Sequence, residues 1–310
     1  MTEKQLNELR PSAFAIAYRM LGSVSDAEDV VQEGFLRLHQ ARAGGEHIES
    51  PRAYLSTVVS RLALDQLRSA RVQRETYVGE WLPEPLLTSA DDPAHLAEMA
   101  DSLSLAFLIV LERLSPEQRA AFLLHDVFNE AYDHIAEILG TSEQNARQLA
   151  ARARRHVKER RPRFEASREQ RQELATRFFA AAEEGDLPGL EQLLAHDVLL
   201  RGDGGGKAPA AARAIYGRGK VARALIAGLR SLARLGYTSR LQEVNGQPGA
   251  LFFDREGKLI SVAMLDIAQG RIQGVSAIVN PDKLQHLGPV ADLRALLREQ
   301  RQKRQPAGSG

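Results

Sequence analysis

The residues whose types and spacing could do chemistry are clustered in one run, SEQNARQLAARARRHVKER, beginning at Ser142. At helical spacing Ala146, Leu149, Ala150, Ala153 and Val157 form an apolar stripe. The opposite side carries Gln144, Asn145, Arg147, Gln148, Arg152, Arg154, Arg155 and Lys158. Amides and guanidiniums at the start of a helix can reach base edges in a major groove about 12 Å wide, and those further along hold phosphates. Gln144, Asn145, Arg147 and Gln148 are therefore expected to contact bases, and Arg152, Arg154, Arg155 and Lys158 the DNA backbone. The same pattern on an isolated helix would be a solvated surface. What singles it out is the short helical segment YDHIAEILG and the Gly140-Thr141 turn before it, the layout of a helix-turn-helix.

Other chemistries are less well supplied. General acid–base work needs a carboxylate or histidine with a displaced pKa, and His196, Asp197, Asp203, Asp254, Asp266 and His286, with Tyr216 as a donor, show no pairing by spacing. Gly204-Gly205-Gly206-Lys207 superficially suggests a phosphate cradle but lacks the GxxxxGK[ST] frame between a strand and a helix. A loop that needs positive φ or close backbone approach explains these glycines equally well. With 0 cysteines there is no disulfide, thiolate metal site or cysteine nucleophile. No catalytic residue, metal or cofactor is assigned.

These groups must be positioned by several units, since 310 residues exceed one small domain. Near the start, AFAIAYRMLG is apolar nearly all round, and a helix follows that Ser25 or Asp26 can cap. It buries Ala27, Val30, Val31, Gly34, Phe35 and Leu38 and turns an acidic stripe, Asp26, Asp29 and Glu33, outward with Arg37. A second amphipathic helix runs from about Arg52 and exposes Arg61, Asp65, Arg68 and Arg71. Residues 72–96 read as a linker, because Gly79, Pro83, Pro85, Asp91 and Asp92 forbid a continuous helix. Yet YVGEWLPEPLL holds the single tryptophan, Trp81, among apolar neighbours, so this linker is expected to dock.

Helices resume near Asp101, and Ser115-Pro116-Glu117-Gln118 spells a helix start before the helix-turn-helix. From about Glu165 the pattern becomes α+β. Helices through Phe178 and Leu190 precede a strand near 198–200, a helix KVARALIAGLRSL, and strands punctuated by Asn245-Gly246, Asp254 to Gly257 and Gln269-Gly270. A curved antiparallel sheet wrapped on helices is expected, followed by a flexible tail over 291–310.

Charge narrows the partners. The net charge is +1, yet residues 1–165 hold 20 basic against 25 acidic side chains, leaving 21 against 15 in the rest. A uniformly basic coat for nucleic acid is excluded; a local cluster remains, with eight Arg or Lys against one Glu between Arg147 and Arg163. No apolar run reaches the length of a membrane span and the first residues lack an apolar signal core, so a cytoplasmic protein without membrane contact is expected.

The ordered segments AYRMLGSVSDAEDVVQEGFLRLHQ, PRAYLSTVVSRLALDQLRSAR and LSPEQRAAFLLHDVFNEAYDHIAEILGTSEQNARQLAARARRHV resemble regions two and four of an extracytoplasmic-function sigma factor of bacterial RNA polymerase. The resemblance covers about half the chain. It implies that Asp26, Asp29 and Glu33 dock on the β′ clamp helices of core RNA polymerase. It further implies that Arg61, Asp65, Arg68 and Arg71 lie on the segment that captures the unpaired −10 strand, and that the helix from Ser142 reads the −35 element of promoter DNA. The −10 segment lacks the basic and aromatic richness of larger sigma factors.

The C-terminal part is similar to the SnoaL-like, or NTF2-like, cone fold, as in a subgroup of these factors. Trp81, Leu82, Pro83, Glu84 and Pro85, then Asp203, Gly204, Gly205, Gly206 and Lys207, then Asn280, Pro281, Asp282, Lys283 and Leu284 agree with that subgroup's motifs. The resemblance implies regulation in cis without a dedicated anti-sigma factor, and leaves open a small ligand of the cone. Trp81 and its neighbours are expected to pack near 203–207 or 280–284.

The expected architecture is multi-domain: an all-α region 2 over 1–72, a linker over 73–100, an all-α helix-turn-helix region 4 over 101–163, an α+β cone over 164–290 and the tail. The expected function is promoter-specific initiation. The alternative is a helix-turn-helix regulator whose cone senses a small molecule and which binds duplex DNA by itself as a two-fold dimer. A third reading is an isomerase or cyclase tethered to a DNA-binding module.

Overall fold

Buried apolar stripes and well-formed caps account for the helical half of the chain. The structure is a computed structural model that describes residues 3–74, 76–88, 102–158 and 167–302. Asp91, Asp92, Asp101, the end of the basic run at 159–163 and the tail over 303–310 lie outside the described residues. The chain forms two compact units, one of Met1–Thr76 with Ala106–Arg161, the other of Tyr77–Leu105 with Pro162–Gly310. By their contacts regions two and four share one unit, and residues 77–105 group with the C-terminal domain.

The first unit begins with α1 (Glu3–Leu21), α2 (Val24–Ala43) and α3 (Pro51–Arg74). Ser23, not Ser25 or Asp26, caps α2, its hydroxyl accepting from the Asp26 amide at 3.2 Å. The cap lies earlier because Gly22, at φ 68, reverses the chain there. Gly34 lets α2 approach α3: a Cβ at this position would lie 2.9 Å from Val59 Cγ2.

Next come α4 (Leu105–Leu111) and α5 (Pro116–Phe122), the latter opened by the Ser115–Gln118 capping box read from the sequence. A π-helical turn at Leu123–Val127 continues α5. The buried Arg119 guanidinium donates to the Arg19 carbonyl at 2.9 and 3.1 Å and pairs with Glu112, tying α5 to α1. The helix-turn-helix proper is α6 (Tyr132–Leu139) and α7 (Glu143–Lys158).

The second unit packs α8 (Arg168–Glu184), α9 (Leu187–Leu193) and α10 (Arg218–Ala233) on one six-stranded sheet. Its strands are β1 (Leu194–Asp203), β2 (Ile215–Tyr216), β3 (Thr238–Val244), β4 (Gln247–Phe253), β5 (Leu259–Ala268) and β6 (Arg271–Ile278), in the order β2-β1-β6-β5-β4-β3. The sheet is mixed, not wholly antiparallel as expected, because β1 pairs with β6 in parallel. The helices and turns between them carry the chain across, whereas β3 to β6 form a hairpin meander. Asn245-Gly246 and Gln269-Gly270 make its tight turns with φ of 53° to 68°.

Register sets two faces. Leu200, Ala250, Ala263, Leu265 and Val275 point into the core that holds Phe178, Phe179 and Ile226. Arg201, Asp203 and Asp266 point the other way. The expected flexible tail is corrected over 291–302. Ala291 donates to Leu259 at 2.9 Å, and α11 (Leu293–Gln302) packs Leu293, Leu296 and Leu297 beside Ile260 and Val279. The leucines of LRALLREQRQ lie on one helical face, and burying them outweighs the polar composition that suggested a tail.

Candidate nucleic-acid interface and linker clamp

Helix α7 is aimed by its turn and its core. Gly140 adopts the left-handed conformation, φ 63, that ends α6, and the Ser142 hydroxyl caps α7 by accepting from the Asn145 amide at 3.2 Å. Ala146 and Ala150 join Ala121, Leu124, Ile135, Ala136 and Ile138 in one apolar cluster. That packing turns Gln144, Asn145, Arg147, Gln148, Arg152, Arg154, Arg155 and Lys158 outward, and all eight are exposed. Two are tethered. Arg147 pairs with Glu143 and lies 4.6 Å from the Tyr132 ring centre. Arg154 grips Asp126 at 2.7 and 3.0 Å and the Tyr132 hydroxyl at 3.2 Å, and its pKa is raised chiefly by the Asp126 hydrogen bond. Arg154 thus braces the base of the helix-turn-helix.

On α2 the expected acidic stripe is present: Asp29 is exposed, Asp26 and Glu33 are half-buried, and Glu33 accepts from Arg37 at 2.8 Å. Between them stands Leu36, 50% exposed and at i+3 from Glu33, which makes the stripe partly apolar. The sequence reading did not single out Leu36, which follows Phe35 of the expected buried face.

On α3, Arg61, Asp65 and Arg68 share an exposed face, while the side chain of Arg71 lies outside the described residues. This face is engaged from within the unit. Arg61 donates to the Glu137 carbonyl and carboxylate at 3.0 and 3.1 Å, and Arg68 to Glu117 at 3.0 Å and Asp65 at 3.2 Å. Thr57 meets His134 at 2.7 Å, and Ser56 donates to Glu130 at 2.9 Å. Burial pushes the Glu117 pKa up, but its backbone hydrogen bond and the charge and hydrogen bond of Arg68 bring the net shift below the usual value.

The linker is held by a buried polar cluster. Asp203, fully buried, accepts from the Tyr77 hydroxyl at 2.6 Å, the Leu82 amide at 2.8 Å, the Gly205 amide at 3.1 Å and Lys283 at 2.6 Å. Lys283 also donates to the Leu82 carbonyl, and its ammonium lies 4.1 Å from the Trp81 ring centre and 5.0 Å from that of Tyr77. Asn280 donates to the Tyr77 hydroxyl at 2.8 Å. Burial first, then the Asp203 hydrogen bond, raises the Tyr77 pKa, so this phenol stays protonated. Trp81 therefore meets the 280–284 segment as expected.

The surrounding motif residues have distinct roles. Leu82, Pro83, Glu84 and Pro85 are buried, and so is Leu284. Pro281 opens the short turn that Asn280 caps, and Lys207 pairs with Asp282. Side chains at Gly205 and Gly206 would collide with Asn280 and Val78, so close approach is the use of the glycine run.

A second anchor was not legible. Asn245, fully buried, accepts from the Leu86 amide at 3.0 Å through Oδ1 and donates from Nδ2 to the Leu103 carbonyl at 3.1 Å. Its amide donates to the Leu86 carbonyl at 2.8 Å, and Thr88 pairs with Glu243 at 3.1 Å. One side chain thus joins Leu86 to Leu103. Spacing showed only its turn propensity.

The residues considered for acid–base chemistry are dispersed. His196, Asp197 and Tyr216 are exposed, Asp254 braces the turn before β5, and Asp203 belongs to the clamp. His286 approaches the Pro85 carbonyl at 2.7 Å. Asp266 is buried on the face of Arg201, and burial pushes its pKa up to about 6 against the opposing Arg201 charge. No described helix is long and apolar enough to cross a membrane.

Comparison with known proteins accords with this geometry. Sigma-70 region 2 matches residues 6–72 and Sigma-70, region 4 matches residues 104–157. The chain is 40% identical to the ECF RNA polymerase sigma factor SigJ of Mycobacterium tuberculosis, over 100% of this chain and 98% of that protein. It is 34% identical to the probable ECF sigma factor SigI of the same species, covering 88% of this chain and 91% of that one. The crystal structure of M. tuberculosis SigJ superposes with a TM-score of 0.74 at 38% identity, covering 92% of this chain and 98% of that chain.

Proposed function

The chain belongs to the extracytoplasmic-function family of RNA polymerase sigma factors, and from that premise we propose how its parts divide the work. It binds core RNA polymerase and promoter DNA and directs promoter-specific initiation of transcription. In our reading Asp26, Asp29 and Glu33, joined by Leu36, engage the β′ clamp helices, and the enzyme's own location makes the cytoplasm the place of action. Arg61, Asp65, Arg68 and Arg71 meet the −10 strand. Gln144, Asn145, Arg147 and Gln148 read the −35 element, while Arg152, Arg155 and Lys158 hold its phosphates; Arg154 acts as a brace. The observation that carries the DNA assignment is the fully exposed basic and amide face of α7 opposite its alanine seam.

The C-terminal unit acts in cis through the linker, with no dedicated anti-sigma factor. The only covalent path from Thr76 to Ala106 is the segment Tyr77–Leu105. Released, its 29 residues reach about 100 Å at ~3.4 Å each. Docked, residues 77–88 are held by the C-terminal unit and Asn245 joins Leu86 to Leu103, so the segment is not free to extend to that length. Binding two promoter elements gains from an effective concentration that depends on tether length. The state of the clamp therefore sets how well regions two and four act together. Among the described residues the cone's cavity is lined mainly by apolar side chains, which suits a binding role.

In vitro transcription with purified core polymerase tests the reading. The full chain directs initiation from a −35/−10 promoter, and a chain ending at residue 165 changes the yield. Failure to join core polymerase, with dimeric binding to duplex DNA alone, would establish the regulator reading instead.

A further inference from the structure

The face of the sheet opposite the linker clamp encloses a cavity of about 550 Å³, within the ~300–1,000 Å³ range of small-molecule sites. Its walls are apolar, with Phe178, Phe179, Leu200, Phe252, Val275 and Leu297 from α8, the sheet and α11. Two features define what could occupy it. Ser261, 6% exposed, and Ser231 offer hydroxyls to it. Among the described residues, the only charged ones lining the cavity are Arg234 and Arg301. Both are exposed, and neither guanidinium has an acidic partner among the described residues. Oily walls with a purely cationic rim suit one ligand shape, an apolar body ending in an anion.

We propose that this cavity binds an aliphatic or aromatic monocarboxylate. The apolar body lies against Phe178, Phe252 and Val275, and the carboxylate meets Arg234 and Arg301, whose planar forks match its two oxygens. An organic cation would face two like charges without a counterion. A polyphosphate or sugar would lose its hydration against walls whose only neutral polar side chains, among the described residues, are Ser231, Ser261 and Gln300. The chain's own C-terminus is a poor occupant, since Gln302 is followed by Lys303 and Arg304, of the same sign as the rim.

The full chain is titrated with 11-(dansylamino)undecanoate, and the bound probe is displaced by dodecanoate, dodecanol or dodecyltrimethylammonium, each below its micelle-forming concentration. The expected result is saturable probe binding, displaced by dodecanoate at least tenfold more effectively than by dodecanol and not displaced by the cation. Arg234→Gln/Arg301→Gln, two surface changes, should bring dodecanoate to the level of dodecanol and leave dodecanol unchanged. Ala224→Trp, which fills the cavity from α10, should abolish both while the melting temperature reports a folded chain. If Ala224→Trp does not fold, the arginine pair decides alone. Absence of saturable binding, equal displacement by acid and alcohol, or a double-arginine variant that still prefers the acid would each overturn the proposal.

Discussion

Replacing Lys283 by methionine should release the linker without unfolding the cone. The side chain is 7% exposed, and its ammonium binds Asp203 at 2.6 Å, the Leu82 carbonyl, and the faces of Trp81 and Tyr77. Methionine keeps most of the volume and removes the charge. Asp203 then stays fully buried with three neutral donors, the Tyr77 hydroxyl and the Leu82 and Gly205 amides, and no cationic partner. Removing one partner of a buried pair costs about 3–5 kcal/mol. Lifting residues 77–88 restores water to Asp203, so the loss should appear as linker release, an equilibrium shift of roughly 100- to 1,000-fold or more. Because Trp81 is the sole tryptophan, its emission reports this event alone. The variant should show a red-shifted Trp81 spectrum in native buffer and rapid protease cleavage near Leu86-Leu87, with the far-UV spectrum kept. Adding Asp203→Asn removes the stranded charge and should restore part of the docking. Native-like emission and protease resistance in Lys283→Met, or a double variant worse than either single one, would refute the reasoning.

Asn245→Gly keeps the positive φ at no steric cost and deletes both side-chain hydrogen bonds, so hydrogen exchange at Leu86 and Thr88 should accelerate; unchanged exchange would remove Asn245 as an anchor. Asp266→Asn should stabilise the protein above neutral pH. The native carboxyl titrates at about 6 from an ordinary 3.8, so it binds more protons than the unfolded chain between these values, and stability falls as pH rises through them. The gain should be about 1–3 kcal/mol at pH 8 and vanish near pH 4, as read by paired thermal melts; equal melting temperatures at pH 8 would contradict it. Leu36→Asp or Asp29→Lys with Glu33→Lys should weaken core polymerase binding in a competition assay, and unaltered affinity would remove α2 from that interface. Arg147→Ala should relax selectivity at one −35 base pair by ~1–3 kcal/mol, whereas uniform weakening across promoter variants would make it a phosphate contact. Glu117→Gln with Glu137→Gln removes one carboxylate partner each from Arg68 and Arg61, leaving their bonds to Asp65 and the Glu137 carbonyl, and should improve binding of a −10 single strand two- to fivefold, since exposed pairs contribute only ~0.2–1 kcal/mol each; no improvement would mean that the pairs do not compete with DNA.

The parts legible in the sequence were those written in local chemistry. The Ser115 capping box, the Gly140 turn, the alanine seam of α7 and the Asn245-Gly246 and Gln269-Gly270 hairpins each follow from residues within a few positions. Trp81 announced docking because solvated linkers gain nothing from an aromatic ring. What escaped were features set by sequence-distant partners. The parallel pairing of β1 with β6 joins strands some 70 residues apart, and local periodicity is silent on it. Leucines 293, 296 and 297 read as tail because their apolar face has meaning only beside Ile260 and Val279. Arg154 carried the same exposure and charge as Arg155, and only Asp126 and Tyr132, more than 20 residues earlier, separate a brace from a free cation.

The two faces of the sheet in the C-terminal unit carry different groups, and the proposed regulation in cis would run between them. Alternation along β1 sends Leu200 into the cavity and Arg201 toward Glu80 of the linker, 3.0 Å away. Along β5 it sends Ser261 and Ala263 inward and Asp266 outward. A change of backbone position that accommodates a ligand at Leu200 must move Arg201 and Asp203, because adjacent residues of a strand share one backbone. The buried cluster on the far side tolerates little such movement: Asp203 uses four hydrogen bonds, and one Glu80 carboxylate oxygen is already buried without a partner. A cluster near the limit of its hydrogen bonding responds to a small displacement by breaking a contact, since packed polar networks are discrete in their arrangements. Occupancy of the inner face, as proposed, would then be coupled to release of the linker on the outer face through single strands. Trp81 emission measured during the carboxylate titration reads the coupling directly. A shift that saturates with the probe and disappears in Arg234→Gln/Arg301→Gln is the expected outcome; saturable binding with constant Trp81 emission would leave the two faces independent.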